Sequence, residues 1–202
     1  MKSVTSNLAL GFLLCASLFA GSSVANATII NFDDLGPGCC NAVPNGYNGF
    51  IGNNFYSIED SFHPGSGYDL GTISGHNTIF NGFGDPAQFG LANTADSFTL
   101  NSFYATAAWT NGLELFLEGI DDGLVVFSTS LSLSNTLASL VTLNWSGIDT
   151  FRMRTSENSQ VAFDDVTVNV SAVPVPGALP LLATGIIGLG AAARRRNKRK
   201  AV

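Results

Sequence analysis

The stretch that decides the fold is "LELFLEGIDDGLVVFSTSLSL", residues 113–133. Apolar and polar side chains alternate along its first half, and a second alternating run follows the dipeptide Asp122-Gly123. A period of two residues places successive side chains on opposite faces of a strand, and glycine tolerates the positive φ of a tight turn. The stretch therefore predicts a β-hairpin in which residues 113–119 and 124–131 pair antiparallel.

Further period-2 stretches lie on both sides of this hairpin. In "SFTLNSFYATAAW" (97–109) alternate positions share one face, which is predicted to carry Trp109 into the core. The stretch "SLVTLNWSGIDTFRMR" (139–154) predicts two strands broken at Ser146-Gly147, with Trp145 in the core, and "VAFDDVTVNV" (161–170) predicts a last strand. Alternation cut by glycine, asparagine and aspartate is typical of strands joined by turns.

Residues 36–90 differ, because glycine and asparagine are dense there and aromatic residues are scattered between them. This composition predicts long loops and short strands whose rings dip into the core. About eight to ten strands and a core rich in phenylalanine predict an all-β fold, an antiparallel β-sandwich of jelly-roll type. Residues 28–171 are expected to form this domain.

The first 27 residues have the layout of a secretory signal. Lys2 precedes an apolar run, and Ala25-Asn26-Ala27 fits the small-residue pattern that signal peptidase cuts. We expect residues 1–27 to form a signal helix, cleaved after Ala27, with the mature chain exported across the inner membrane. The alternative is a buried N-terminal helix.

The body between the two ends is strongly acidic. It carries all fifteen Asp and Glu residues against only Arg152 and Arg154, a formal charge of −13. Such a surface repels phosphate backbones, which makes nucleic acid an unsuitable partner. The same charge favours a bound cation.

The C-terminal segment, residues 172–202, combines three features in order. A Pro-x-Pro pair at Pro174 and Pro176 precedes a 16-residue apolar run, 178–193, and a basic cluster follows it. The run is somewhat short for a transmembrane helix, but the basic cluster would stop transfer and keep it in the inner membrane. The alternative is a hydrophobic C-terminal strand with a basic tail.

This order of features resembles the PEP-CTERM protein-sorting domain, although the family's usual central glutamate is replaced here. The resemblance covers about 30 residues and implies processing by an exosortase, a membrane transpeptidase of Gram-negative bacteria that make exopolysaccharide. It also implies a body released or attached at the cell surface or in the polysaccharide matrix. The residues matching the sorting signal are Val173, Pro174, Val175, Pro176, Arg194, Arg195 and Arg196.

The body resembles a recurrent jelly-roll module of exported PEP-CTERM proteins. The stretches that carry this resemblance are "IINFDDL", "TAAWTNGLELFLEGIDDG", "LNWSGIDTFRMRT" and "VAFDDVTVNV". The resemblance implies a fold and little biochemistry.

Cysteine usage in the body is limited to the adjacent pair Cys39 and Cys40. Adjacent cysteines bridge only across a strained peptide, so we expect them to act as small residues in a turn. A local bridge and intermolecular pairing are the alternatives.

Enzyme signals are poor. The two histidines, His63 and His76, form no zinc motif, and the chain has no nucleophile elbow or phosphate loop. The sequence therefore predicts a non-enzymatic protein. Pairs among the many carboxylates leave a hydrolase acting on matrix polysaccharide as an alternative.

Two Phe-Asp-Asp motifs open and close the body, and they contain Asp33, Asp34, Asp164 and Asp165. In a jelly roll the terminal strands often lie side by side, which would bring these carboxylates together. Calcium takes six to eight oxygen ligands, so the motifs predict a structural Ca²⁺ site. The alternative is that one aspartate of each pair caps a turn.

Sugar binding needs exposed rings. Tyr47, Tyr56 and Tyr68 are expected to lie in loops and are the candidates for stacking on exopolysaccharide. The sequence thus favours an exported structural or glycan-binding module. The alternatives are a secreted hydrolase and a permanently anchored surface protein.

Overall fold

The computed structural model describes residues 27–93 and 96–171. The predicted signal segment up to residue 26 and the sorting segment 172–202 lie outside the described residues. The described part of the chain contains no helix that is long and apolar enough to cross a membrane.

Twelve strands account for most of the described chain, more than the eight to ten expected. Short 3₁₀ turns lie at Asp33–Leu35, Asp60–Phe62 and Gly82–Gly84. The strands are β1 (Ala27–Ile30), β2 (Cys39–Ala42), β3 (Phe50–Asn53), β4 (Phe55–Glu59), β5 (Asn77–Asn81), β6 (Ala87–Leu91), β7 (Ser97–Ala107), β8 (Leu113–Asp121), β9 (Leu124–Leu133), β10 (Ser139–Ile148), β11 (Thr150–Thr155) and β12 (Val161–Ser171).

The strands form two antiparallel sheets. The first has the order β10-β7-β12-β5-β4-β2, with β1 also paired to β12, and the second has the order β3-β6-β11-β8-β9. The predicted short strands of residues 36–90 are confirmed, since β2 to β6 have four or five residues each. The predicted all-β, antiparallel architecture is confirmed in the described residues.

The predicted hairpin is confirmed. Strands β8 and β9 pair from Leu113↔Leu133 to Asp121↔Leu124. Asp122 and Gly123 both have positive φ, 49° and 77°, which is the geometry of a two-residue type I′ turn. The backbone N–H of Asp122 also donates to the buried carboxylate of Asp149, which ties the turn to the β10–β11 connection.

The core lies between the two sheets and is built largely from phenylalanine rings. Phe103 of β7 contacts Phe151 of β11 across the sheets, with ring centroids 5.7 Å apart. Phe50 of β3 contacts Phe98 of β7 in the same way, at 5.1 Å. Trp145 is 8% exposed in this core, as predicted, and it stacks on Phe127. The two sheets therefore form a β-sandwich around one apolar layer.

One predicted strand boundary was wrong. Strand β10 continues through Ser146-Gly147 to Ile148, with shifts of register on either side of Trp145. The chain passes to the other sheet at Asp149, since β10 pairs with β7 and β11 pairs with β6 and β8. Bulges absorb the turn-forming residues that the sequence pattern had suggested as a break.

Candidate functional site

A second, smaller apolar cluster lies on the outer face of the first sheet. Its buried members are Ile58, Tyr68, Phe80, Ala108 and Ala162. The long β4–β5 loop, residues 60–76, contributes Tyr68 and so covers part of this face. A pocket of about 240 Å³ opens beside the cluster, and we call it the aromatic pocket. Rings that line it are Tyr56, His63, Tyr68, Phe80, Phe83 and Trp109.

The β4–β5 loop is held in place by the two Phe-Asp-Asp motifs. Asp33 accepts hydrogen bonds from the backbone N–H groups of His76 and Asn77, at 2.7 and 3.2 Å. Asp164 accepts from Ile73 and Ser74, at 2.6 and 3.1 Å. Both motifs therefore position the end of the loop that covers the outer face.

Asp164 is fully buried, and burial raises the pKa of its carboxyl to about 6, although three backbone N–H bonds act in the opposite direction. Asp165 accepts a hydrogen bond from the hydroxyl of Ser74, and Asp34 accepts one from the hydroxyl of Tyr47. The four aspartates thus have protein partners.

The terminal strands do lie side by side, as expected, because β1 pairs with β12 from Ala27↔Asn169 to Ile30↔Val166. Within residues 27–93 and 96–171, no three His, Cys, Asp or Glu side chains are grouped so that they could hold a metal ion. Calcium binding at Asp33, Asp34, Asp164 and Asp165 stays a prediction.

Phe83 stands at the mouth of the aromatic pocket in an unusual conformation. Its side chain is 80% exposed, and its backbone has φ 59° and ψ 7°, the left-handed region that bulky residues seldom adopt. Its ring has Tyr56 as an edge-to-face neighbour, with centroids 6.3 Å apart. An exposed ring on a strained backbone contributes little to the stability of the fold, which makes Phe83 a candidate binding residue.

The turn that carries Phe83 is held from both sides. Asn81 is fully buried; its amide donates to the carbonyls of Asp85 and Ser159, and its side-chain oxygen accepts from the N–H of Val161. A Cβ built on Gly84 would lie 1.8 Å from the carbonyl oxygen of Asn158. Only glycine allows the 82–84 turn to approach the β11–β12 turn, residues 156–160, this closely.

Trp109 was predicted to lie in the core, and this was wrong. Strand β7 ends at Ala107, so the alternation that carried Phe103 inward stops before residue 109. The Trp109 side chain is 49% exposed and meets Tyr68 edge to face at 5.4 Å. Trp109 therefore forms a wall of the aromatic pocket.

Cys39 and Cys40 form a disulfide with each other and lie in strand β2, which corrects the expectation that they act as small residues in a turn. Both line the aromatic pocket next to Tyr56. The bridge places an apolar surface at this edge of the site.

The three predicted tyrosines have different positions. Tyr56 lies in strand β4 and not in a loop, and it lines the aromatic pocket. Tyr68 does lie in a loop, but it is buried at 2% exposure, and burial raises the pKa of its hydroxyl. Tyr47 lies elsewhere, against Phe32, where desolvation by burial and the hydrogen bond to Asp34 raise the pKa of its hydroxyl. The structure therefore brings together Tyr56 and Tyr68 but not Tyr47.

Sequence reasoning missed Phe83, Gln160 and the site role of Trp109. The only signal for the first was its neighbourhood, "NGFGD", in which glycine on both sides of a phenylalanine indicates a tight turn that exposes the ring. Gln160 is the last residue of the β11–β12 turn and had no signal of its own.

Comparisons with known proteins give no family. No family model matches the chain, and no curated protein matches it either. An arabinose-bound α-L-arabinofuranosidase matches 76% of this chain at 10% identity and a TM-score of 0.44, and the chain spans 28% of that enzyme.

Two carbohydrate-binding modules match over their full length. A family 51 module of Clostridium perfringens, solved with methyl-galactose, matches 70% of this chain at 10% identity and a TM-score of 0.36. A family 29 module matches 75% of this chain at 12% identity and a TM-score of 0.38. Because these TM-scores lie below 0.5, the candidate site has to be judged on its own residues.

Proposed function

We propose that this protein is an exported, non-enzymatic β-sandwich of jelly-roll type that binds glycans through the aromatic pocket. The observation that carries the proposal is the exposed ring of Phe83, held in a left-handed backbone beside Trp109 and Tyr56. Sugars present an apolar face of C–H groups and a polar edge of hydroxyls. Aromatic walls with a few polar groups suit such a ligand.

The non-enzymatic part of the proposal is supported by the chemistry of the site. No Asp or Glu is among the described residues that line the aromatic pocket. Glu157 is the single carboxylate among the described residues that line the adjoining pocket. Glycoside hydrolysis uses a pair of carboxyl groups on either side of the bond that breaks. The secreted hydrolase is therefore the weaker alternative.

Replacing Phe83 by glycine tests the glycan-binding proposal. We expect Phe83→Gly to weaken binding about tenfold, the contribution of one aromatic stacking contact. The melting temperature should stay level or rise, because glycine adopts the left-handed backbone without strain. Binding would be measured on a glycan array and then by calorimetry with the glycan that the wild type retains.

Phe62→Ala is the matched control. Phe62 is also an exposed phenylalanine, at 52%, but it lies outside the aromatic pocket. The Phe62→Ala variant should bind glycans as tightly as the wild type does. If Phe83→Gly binds every retained glycan as tightly as the wild type does, the aromatic pocket is not the site.

We propose further that residues 172–202 sort the protein, through an exosortase, to the cell surface or exopolysaccharide matrix of a Gram-negative bacterium. The support is the order of Pro174 and Pro176, the apolar run 178–193 and the basic cluster beyond it. A proline disfavours helix at the residue before it, so the sequence of this junction suits cutting by a membrane protease. Inner-membrane residence through 178–193 would be transient.

The sorting proposal predicts that Pro174→Ala with Pro176→Ala leaves uncut precursor in the membrane while the sandwich still folds. The readout is the intact mass of the protein from medium and membrane of an exosortase-positive host. An unmutated exported protein that still ends at Val202 would instead support a permanent anchor. Normal processing of the double variant would also contradict the proposal.

A further inference from the structure

The aromatic pocket adjoins a second pocket. Phe83, Trp109 and Gln160 line both of them. The second, which we call the polar pocket, has a volume of about 290 Å³ against about 240 Å³ for the first. A ligand that fills one therefore reaches the mouth of the other, with Gln160 at the junction.

The side chain of Gln160 is held in one orientation by two donors. The hydroxyl of Tyr68 donates to its Oε1 at 2.8 Å, and the indole N–H of Trp109 donates to the same atom at 3.1 Å. The indole N–H of Trp109 can only donate, so it must face Oε1, and a flipped amide would lose this bond and set two donors against each other. The Tyr68 phenol carries its proton at neutral pH, and burial raises its pKa further.

This arrangement leaves the NH₂ group of Gln160 available as a donor. It has no hydrogen-bond partner within residues 27–93 and 96–171, and the side chain is only half-buried. A fixed donor of this kind selects an acceptor on the ligand, because a site built to donate loses affinity for a group that cannot accept.

The polar pocket differs from its neighbour in chemistry. Beyond the shared residues it is lined by Thr110, Glu157, Asn158 and Ser159. These side chains suit hydroxyl groups rather than an apolar face. Glu157 is exposed there, and the body around it carries a formal charge of −13, so an acidic sugar would be repelled.

We infer that the ligand is a neutral oligosaccharide segment of two or more sugar rings that lies across both pockets. This inference rests on the glycan binding proposed above. One ring stacks in the aromatic pocket, and the next directs its hydroxyls into the polar pocket. At the junction the NH₂ of Gln160 donates to a glycosidic or ring oxygen, an acceptor that carries no hydrogen.

Gln160→Glu tests the junction with little change of shape. A carboxylate still accepts from Tyr68 and Trp109, but it cannot donate to a glycosidic oxygen. We expect about tenfold weaker binding of disaccharides and trisaccharides, the effect of one lost hydrogen bond, with the melting temperature unchanged. The matched control is Gln88→Glu, the same change at an exposed glutamine of β6, which should bind like the wild type.

The probes are neutral gluco-, xylo-, manno- and galacto-oligosaccharides of one to four units, titrated into the full-length protein by calorimetry. In the series that binds, affinity should rise at least tenfold from the monosaccharide to the trisaccharide. Glu157→Gln should narrow the preference for neutral oligosaccharides over those that carry a uronic acid, because it removes the acidic side chain nearest to the ligand.

The outcomes separate this inference from the proposed function. Binding with no dependence on chain length would overturn the two-pocket inference and leave glycan binding in place. Undiminished binding by Gln160→Glu would overturn the assigned donor. If no oligosaccharide of any series binds, the proposed function and the inference are both wrong.

Discussion

Replacing Gly67 by alanine is expected to detach the β4–β5 loop from the sheet and to abolish the proposed glycan binding. A Cβ at this position would lie 1.9 Å from the carbonyl oxygen of Ala107 and 2.9 Å from the Cα of Ala108. Both contacts are with backbone, so the loop must move by roughly 1 Å or more to reach van der Waals distance. That movement breaks the bond from the N–H of Gly67 to the carbonyl of Ala108.

The loss of stability in Gly67→Ala should be about 3 kcal/mol, from overpacking and one lost hydrogen bond. Binding fails because Tyr68 is the next residue, and its displacement releases Gln160 and removes a ring contact from Trp109. Urea unfolding gives the stability, and calorimetry with the glycan retained by the wild type gives the binding.

Gly52→Ala is the matched control for Gly67→Ala. Gly52 lies in β3 of the other sheet, and the atom nearest to its added Cβ would be 3.8 Å away. Its stability should stay within about 1 kcal/mol of the wild type, with binding unchanged. An equal loss of stability in both variants would contradict a steric clash specific to residue 67.

Replacing Phe103 by alanine is expected to destabilise the sandwich by about 3–5 kcal/mol. The ring is 1% exposed and lies between the sheets, with centroids 5.2 Å from Phe163 of β12 and 5.7 Å from Phe151 of β11. Truncation leaves a cavity that the neighbouring rings cannot fill. Domains have only about 5–15 kcal/mol of stability, so unfolding at physiological temperature should become detectable.

Phe116→Ala provides the comparison for Phe103→Ala. Phe116 is also a strand phenylalanine, but it is half-buried on the outer face of β8, with the guanidinium of Arg154 lying 4.1 Å from its ring centroid. Phe116→Ala should lower the free energy of unfolding by about 1 kcal/mol. Comparable losses in the two variants would contradict a core centred between the sheets.

The candidate site could be predicted from the sequence only in part. Composition indicated the loop-rich region of residues 36–90 and its tyrosines as candidates, but a tyrosine's position in the chain does not reveal which face of a sheet it occupies. Tyr47 and Tyr56 are nine residues apart, yet only Tyr56 lines the aromatic pocket. The pocket forms where four separate connections meet, and pairing of distant strands decides that meeting.

Trp109 shows the limit of periodicity. It continues the apolar phase of Phe103, Ala105 and Ala107, and on local pattern alone it belongs in the core. The phase applies only while the backbone stays extended, and β7 ends two residues earlier. Strand ends depend on where partner strands stop, which is a property of the tertiary structure.

The sequence by itself determined the elements whose information is local. The β8–β9 hairpin follows from matched alternation around Asp122-Gly123, because residues close in the chain need no distant partner to set their register. The acidic character of the body and the short strands of residues 36–90 also follow directly from composition.

Only the tertiary structure decided which backbone groups the two Phe-Asp-Asp motifs bind and where the aromatic pocket lies. Asp33 and Asp164 stand more than a hundred residues apart in the chain, yet both hold the β4–β5 loop through its backbone N–H groups. The Phe83 turn is likewise fixed by close approach to residues 156–160, with Asn81 joining the two turns. Such contacts depend on the packing of distant segments, and a local pattern carries no record of that packing.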